Sequence, residues 1–185
     1  EYVLDSTPIP FTISQENSST DTGVTVVKVK AQDMPQKGVI EIGKTGEVFA
    51  SVSETDGIYT PVYEKQGLPR TVFQIYAAED IVTGDGTLRA YQGELVDEIT
   101  TDETGYAKSK ELYLGKYTVV EKTASNGFYN SNEQHDVELT YAGQTVSVTS
   151  TKLNLFNERQ KVTVSLSKEL EQDETFGIGM NDEIK

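Results

Sequence analysis

Apolar and polar residues alternate with a period of two along most of the chain, and turn residues interrupt the alternation at short intervals. This is the period of a β-strand, in which successive side chains point to opposite faces. The stretches that fit a strand are VTVVKVK, GVIEIGK, TVFQIYAA, ELVDEITTD, GKYTVVEK, HDVELTY, QTVSVTS, KLNLFN and VTVSLSK. Sustained helical periodicity is almost absent, so the pattern predicts an all-β chain that forms a sandwich.

The alternation also predicts which polar residues face the core. Lys44 continues the apolar face of VIEIGK, whereas Glu41 lies on the opposite face. Glu121 continues the apolar face of YTVVEK, and Asn157 continues that of LNLFN, in which Asn154 points outward. Because side chains two positions apart share a face of a strand, we expect Lys44, Glu121 and Asn157 to point inward.

Two interpretations of these inward polar groups are open. In the first, Lys44 and Glu121 form a buried salt bridge, and the amide of Asn157 satisfies the remaining donors. In the second, apolar burial keeps the lysine partly as a neutral, nucleophilic amine and the glutamate as a protonated acid. The acid would then polarise the asparagine carbonyl and pass a proton to departing ammonia, leaving an amide bond between the two side chains.

Composition excludes several classes of function. The 185 residues include 30 acidic and 16 basic side chains, a formal charge of -14 that disfavours nucleic acid as a partner. No apolar run reaches the roughly 20 residues of a membrane span. The chain has no cysteine and a single histidine, His135, which the alternation places on a surface strand. We therefore expect no metal, no cofactor and no enzymatic turnover.

Longer motifs resemble a known family. GVIEIGK, TVFQIYAAEDIVTGDGT, TTDETGYA with LYLGKYTVVEK and NGF, and TKLNLFNERQK look like the B-type repeat of collagen-binding adhesins. This is the CnaB or SpaA-like domain of Gram-positive surface proteins and pilins, and the similarity covers residues 38–161. It implies an immunoglobulin-like or prealbumin-like sandwich at the cell wall, outside the cell.

In that family a lysine on the first strand bonds spontaneously to an asparagine or aspartate on the last strand, beside a glutamate on a central strand. By position, these residues correspond to Lys44, Asn157 and Glu121. The resemblance therefore favours the isopeptide bond over the salt bridge, with Glu121 as the proton shuttle. The bond forms once per molecule, so the chain is not expected to be an enzyme.

An internal repeat predicts module boundaries. DMPQK and NERQK occupy equivalent positions, each followed by a strand pattern that ends in lysine. We expect residues 1–37 to be the end of a preceding module, 38–161 a complete module, and 162–185 the start of a following one. Asp33 and Lys168 are then candidate half-sites whose partners lie in the neighbouring modules.

The stretch from 45 to 70 is longer than the compact members of the family need. Its strand patterns around TDG predict an extra hairpin that carries Val48, Phe49, Tyr59 and Tyr63. These side chains could cover a sheet or bind a ligand. Two functions follow: a stalk module whose partners are its neighbouring modules, or an adhesive domain that binds a host or bacterial surface through residues 45–70.

Overall fold

The computed structural model describes residues 1–14, 27–130, 132–162 and 164–168, and contains no helix among them. The all-β prediction is confirmed. The strands are β1 (Tyr2–Val3), β2 (Met34–Pro35), β3 (Lys37–Thr55), β4 (Ile58–Gly67), β5 (Val72–Ala77), β6 (Ile81–Val82), β7 (Leu88–Ala90), β8 (Leu95–Thr100), β9 (Tyr106–Lys108), β10 (Leu112–Tyr113), β11 (Gly115–Thr123), β12 (Gln134–Leu139) and β13 (Val148–Asn157).

Two sheets carry the core between them. One has the order β12-β11-β5-β8, and in the other β3 pairs with β13, β10, β9 and β4. Every second side chain along each of these strands points inward, and most of these inward side chains are apolar. The largest apolar side chains that are fully buried are Tyr117, Phe73, Ile40, Ile42, Leu68, Ile75 and Leu139. The predicted sandwich is therefore present, with its core built from both sheets.

The last strand of the sandwich lies beside its first long strand. β13 pairs with β3 in parallel, with Leu155 opposite Lys44 and Asn157 opposite Gly46. A parallel pair cannot be closed by a tight turn, so the intervening chain crosses the molecule before it returns. Because β3 and β13 are parallel neighbours, Lys44 and Asn157 lie close together at the same end of the core.

The predicted extra hairpin is also confirmed. β3 is 19 residues long and continues beyond the sandwich, where it pairs with β4. Thr55 lies opposite Ile58, which leaves a two-residue loop of Asp56 and Gly57 with φ of 51° and 77°. Positive φ at both positions is the signature of a type I′ turn, which matches the twist of the flanking strands. We call residues 47–66 the ribbon.

Some predicted strands are absent or differently bounded. Of VTVVKVK, residues 24–26 lie outside the described part, and residues 27–30 form no strand. Of VTVSLSK, residues 162 and 164–168 are exposed and form no strand, and residue 163 is outside the described part. A strand needs a neighbour to accept its backbone hydrogen bonds, and the described residues of these two segments pair with no described strand. The patterns QTVSVTS and KLNLFN predicted two separate strands, but residues 148–157 form one continuous strand.

The first residues contact the sandwich at the β12–β13 loop. β1 pairs with β2, the N–H of Leu4 donates to the carbonyl of Gln144, and that of Gln36 to the carbonyl of Glu1. The proposed boundaries after residues 37 and 161 stay a prediction, and residues 169–185 lie outside the described part.

Candidate functional site

Three polar side chains meet in the core at the end of the β3–β13 pair. Lys44 comes from β3, Glu121 from β11 and Asn157 from β13, and they are 2%, 4% and 3% exposed. The alternation of each strand places its polar residue on the inward face, as predicted. Three strands, two from one sheet and one from the other, thus contribute one residue each to a single buried cluster.

The three side chains are in direct contact. The Lys44 Nζ donates to Asn157 Oδ1 at 2.6 Å and lies 2.5 Å from Glu121 Oε2. The Asn157 Nδ2 donates to the other carboxylate oxygen, Oε1, at 2.6 Å. The carboxylate therefore bridges the amine and the amide nitrogen, while the amine also touches the amide oxygen.

Apolar side chains surround this cluster. The ring of Phe73, which is fully buried, has its centroid 5.7 Å from the Lys44 Nζ. Leu68 and Phe128 are also buried, and both lie close to Gly46, the position opposite Asn157 on β3. Packing of this kind keeps water away from the three side chains and strengthens the electrostatic interactions among them.

The backbone at Lys44 is held on both sides. Its N–H donates to the carbonyl of Gly105 at 2.7 Å, and its carbonyl accepts from the N–H of Leu68 at 2.9 Å. Gly105 has φ of 80°, and a Cβ there would lie 2.2 Å from the Lys44 carbonyl oxygen. Only glycine fits this close approach. Strand alternation gave no signal of the contact between this glycine and Lys44.

The backbone at Glu121 has its own support. The side chain of Asn130 donates to the Glu121 carbonyl at 3.1 Å. The pairing of β11 with β5 shifts register between Glu121 and Thr123, which marks a bulge. Bulges redirect side chains locally and are frequent beside functional sites. Neither Asn130 nor the bulge could be recognised from strand alternation.

A family model for the SpaA prealbumin-like fold domain matches residues 60–154, more than half of the chain. The chain belongs to this family. The match includes Glu121, whereas Lys44 precedes the matched range and Asn157 follows it. The prealbumin-like sandwich predicted from the sequence is thus confirmed. A comparison with curated proteins finds no match.

Solved structures similar to this SpaA-family chain include three pilus proteins. They are the minor pilin GBS52 of Streptococcus agalactiae (TM-score 0.45, 16% identity, covering 74% of this chain and 50% of that one), the major pilin SpaD of Corynebacterium diphtheriae (0.43, 17%, 67% and 32%) and the fimbrial protein FimP of Actinomyces oris (0.47, 13%, 80% and 36%). The chain spans half or less of the length of each.

The structure does not bring the other candidate residues of this SpaA-family chain to a site. Asp33 is exposed beside the first residues and lies in no strand, and Lys168 is exposed in a segment without strand structure. His135 is half-buried on β12, with its Nε2 4.0 Å from a carboxylate oxygen of Glu133. Within the described ranges, no three His, Cys, Asp or Glu side chains are grouped as a metal would require.

Gln36 is among the buried polar residues that strand alternation did not identify. Gln36 is 1% exposed, and its Oε1 accepts from the N–H of Ala142 at 2.8 Å. Its Nε2 donates to the carbonyls of Gly143 and Val146. All of these partners are backbone groups of the β12–β13 loop, so Gln36 fixes that loop and lies outside the cluster.

Across residues 1–14, 27–130, 132–162 and 164–168, no helix is long and apolar enough to cross a membrane.

Proposed function

We propose that this chain is a structural stalk module of a cell-wall-anchored adhesin or pilin, exposed on the surface of a Gram-positive bacterium. A self-formed isopeptide bond between Lys44 and Asn157 stabilises the module. The observation that carries the proposal is the buried contact of Lys44, Glu121 and Asn157. The similarity of the sequence to CnaB-type repeats supports the cellular context.

The geometry supports a balanced condensation. The neutral amine of Lys44 attacks the Cγ of Asn157, so a bond from Nζ to Cγ forms as the bond from Cγ to Nδ2 breaks and ammonia leaves. Glu121 has one carboxylate oxygen beside the attacking nitrogen and the other beside the leaving nitrogen. It can accept the proton that the amine loses and return it to the departing amide nitrogen.

The observed contacts sharpen the role predicted for Glu121. From the sequence, Glu121 was predicted to polarise the asparagine carbonyl and to shuttle the proton. In the structure its carboxylate contacts the amide nitrogen, and the carbonyl oxygen contacts the lysine amine instead. The geometry therefore favours the shuttle. Because the reaction consumes Lys44 and Asn157, it runs once and is not enzymatic turnover.

A bond at this place suits a module under tension. β3 and β13 are the strands through which the chain enters and leaves the sandwich, and they run parallel over ten residue pairs. A covalent tie between them prevents their separation and restricts the unfolded chain, as a disulfide does. The chain contains no cysteine with which to form a disulfide.

Intact mass spectrometry of the purified protein tests the proposal. We expect a mass lower than that of the sequence by one ammonia, and a cross-linked peptide that contains Lys44 and Asn157. The variant Glu121→Gln keeps the size of the side chain but removes the titrating carboxyl, so ammonia loss should stop or slow greatly. Glu41→Gln, on the opposite face of β3, is the control and should retain the bond. A wild-type mass equal to that of the sequence would refute the proposal.

The exposed aromatic residues of the ribbon favour a second candidate function. Phe49, Tyr59 and Tyr63 are 48%, 67% and 40% exposed, and an exposed apolar patch commonly marks an interaction site. In this alternative the module is itself an adhesive domain that binds a host or bacterial surface ligand through residues 45–70. Loss of attachment in ribbon variants that retain the isopeptide bond would support this alternative.

A further inference from the structure

The ribbon has one aromatic face. Residues directly opposite on paired strands lie on the same face of a sheet. Phe49 lies opposite Tyr63 and Val52 opposite Pro61, and Tyr59 follows in the alternation of β4. A bulge between Phe49 and Ser51 keeps both halves of β3 in phase with β4. We call these five residues the aromatic face.

The aromatic face has little cover within its own module. Apart from Pro61, its members are between 40% and 67% exposed. The packing between aromatic rings within the ribbon is the edge-on contact of Phe49 with Tyr63, whose centroids are 6.3 Å apart. A two-stranded hairpin with solvent on both faces is only marginally stable. The ribbon therefore needs a partner if it is to be rigid.

The outgoing chain lies against the base of this face. The guanidinium of Arg159 is 5.9 Å from the centroid of the Tyr63 ring, and the Lys161 Nζ is 3.5 Å from Glu47 Oε2. Glu47 lies opposite Lys65, which continues the aromatic face toward the sandwich. After β13 ends, the polypeptide is thus directed to the aromatic face.

The segment that follows exposes apolar residues of its own. Val162, Val164 and Leu166 are 89%, 87% and 92% exposed and alternate with polar positions, as in a half-buried strand that lacks its sheet. Beyond Gly46, β3 pairs only with β4 among the described strands, so its edge on the β13 side is unpaired. Two incomplete apolar surfaces consequently lie at the same end of the module.

We propose that the aromatic face of the ribbon packs against the module that follows residue 161 and acts as a splint at the joint. This inference rests on the proposed stalk function, because it requires a folded module after this one. The occupant is that module, with residues 162–168 as its first strand. Burial of its apolar side chains and of the aromatic face would restrict bending between the two modules.

Distance measurement between two spin labels tests the splint in the full-length protein. The 185 residues contain no cysteine, so within them labels attach only at introduced positions. Ser53→Cys labels the ribbon on the side away from the aromatic face, and Ser167→Cys labels the following segment on the side away from its apolar residues. We expect one narrow distance distribution. The double variant Phe49→Ser, Tyr63→Ser should broaden it and make the β4 amides exchange about tenfold faster.

The matched control is Ile58→Ser, Val62→Ser, which removes two exposed apolar side chains from the other face of the ribbon. It should leave the distance distribution narrow. A broad distribution without ribbon substitutions, or one that the aromatic variant does not change, would overturn the splint. Loss of cell attachment with an unchanged distribution would likewise overturn it and assign the face to an external ligand. The mass of each sample is measured in parallel, so failure of the isopeptide bond is recognised separately.

Discussion

The two halves of β3 differ sharply although they form one continuous strand. Residues 37–46 pair with β13 on one edge and with β10, β9 and the end of β4 on the other, and their inward side chains are buried. Residues 47–55 pair with β4 alone, and from Phe49 onward most of their side chains are in solvent. Both halves alternate in sequence. The difference shows that neighbouring strands decide what an alternating strand buries.

Removing the acceptor in the buried half should have the largest effect. Asn157→Ala removes the acceptor of the proposed isopeptide bond and leaves Lys44 and Glu121 without the amide that both contact. We expect a full sequence mass and a loss of about 3–5 kcal/mol in the free energy of unfolding, measured with denaturant.

Asn154→Ala is the control for this prediction, because Asn154 lies on the exposed side of the same strand. It should keep the ammonia loss and most of the stability. If Asn157→Ala unfolded at the same denaturant concentration as the wild type, the cluster would contribute nothing to the strength of the buried half.

A methyl group at Gly46 should disturb the buried half without touching the reacting atoms. Its Cβ would lie 2.7 Å from both Leu68 and Phe128 and 2.8 Å from the carbonyl oxygen of Asn157. Overpacking of this kind costs about 1–3 kcal/mol. We expect Gly46→Ala to lower the unfolding midpoint and to slow the loss of ammonia from newly synthesised protein, followed by intact mass at successive times after the start of expression. A variant with wild-type midpoint and rate would show that this end of the core is loosely packed.

The corresponding change in the ribbon should be local. At Gly57 a Cβ meets nothing within 4 Å, but φ is 77°, so alanine adds only backbone strain, of about 1 kcal/mol. Gly57→Ala should accelerate amide exchange in β4 and leave the β13 amides and ammonia loss unchanged. Faster exchange in β13 would mean that the ribbon and the sandwich unfold as one unit, and the contrast between the halves would disappear.

The smallest expected effect is on the pH dependence of stability. It concerns the turn of residues 102–105, whose Gly105 carbonyl accepts a hydrogen bond from Lys44. Hydrogen bonds from the side chain of Thr104 and from the N–H groups of Tyr106 and Thr104 hold the pKa of Asp102 below its ordinary value. A lowered pKa stabilises the fold above the unfolded value of about 4, and this contribution is lost as the pH falls through the folded value. The wild type should therefore exceed Asp102→Asn in stability at neutral pH, with a gap that narrows on acidification. A gap that widens would contradict this sign.

Alternation predicted the features that depend on one strand at a time. It identified the inward faces that carry Lys44, Glu121 and Asn157, and the turn residues TDG marked the tip of the ribbon. Each of these needs only the rule that side chains two apart share a face and that certain turns require positive φ. The isopeptide bond stays a proposal that depends on the family resemblance as well, because alternation also allows a salt bridge.

Features that depend on pairing between distant segments could not be predicted from the pattern. The length of β3, the fusion of two short patterns into β13 and the hydrogen bonds of Gln36 with residues 142–146 all depend on which strand or loop lies alongside. The same limit explains the strand predicted for residues 24–30: within its described part, residues 27–30, the pattern is regular, but no described strand pairs with it. Pairing is a property of the assembled sheet and leaves no local signal.

The separation of the two cluster residues sets how much length the chain could release. Lys44 and Asn157 touch between neighbouring strands of one sheet yet are 113 positions apart in the sequence. Fully extended, that intervening chain would measure roughly 400 Å. Once the two side chains are joined, pulling on the ends cannot reach it, and the path of the load runs along β3 to Lys44 and crosses directly to Asn157. The module would then behave as a link of nearly fixed length, and an array of such links would keep its reach when stretched.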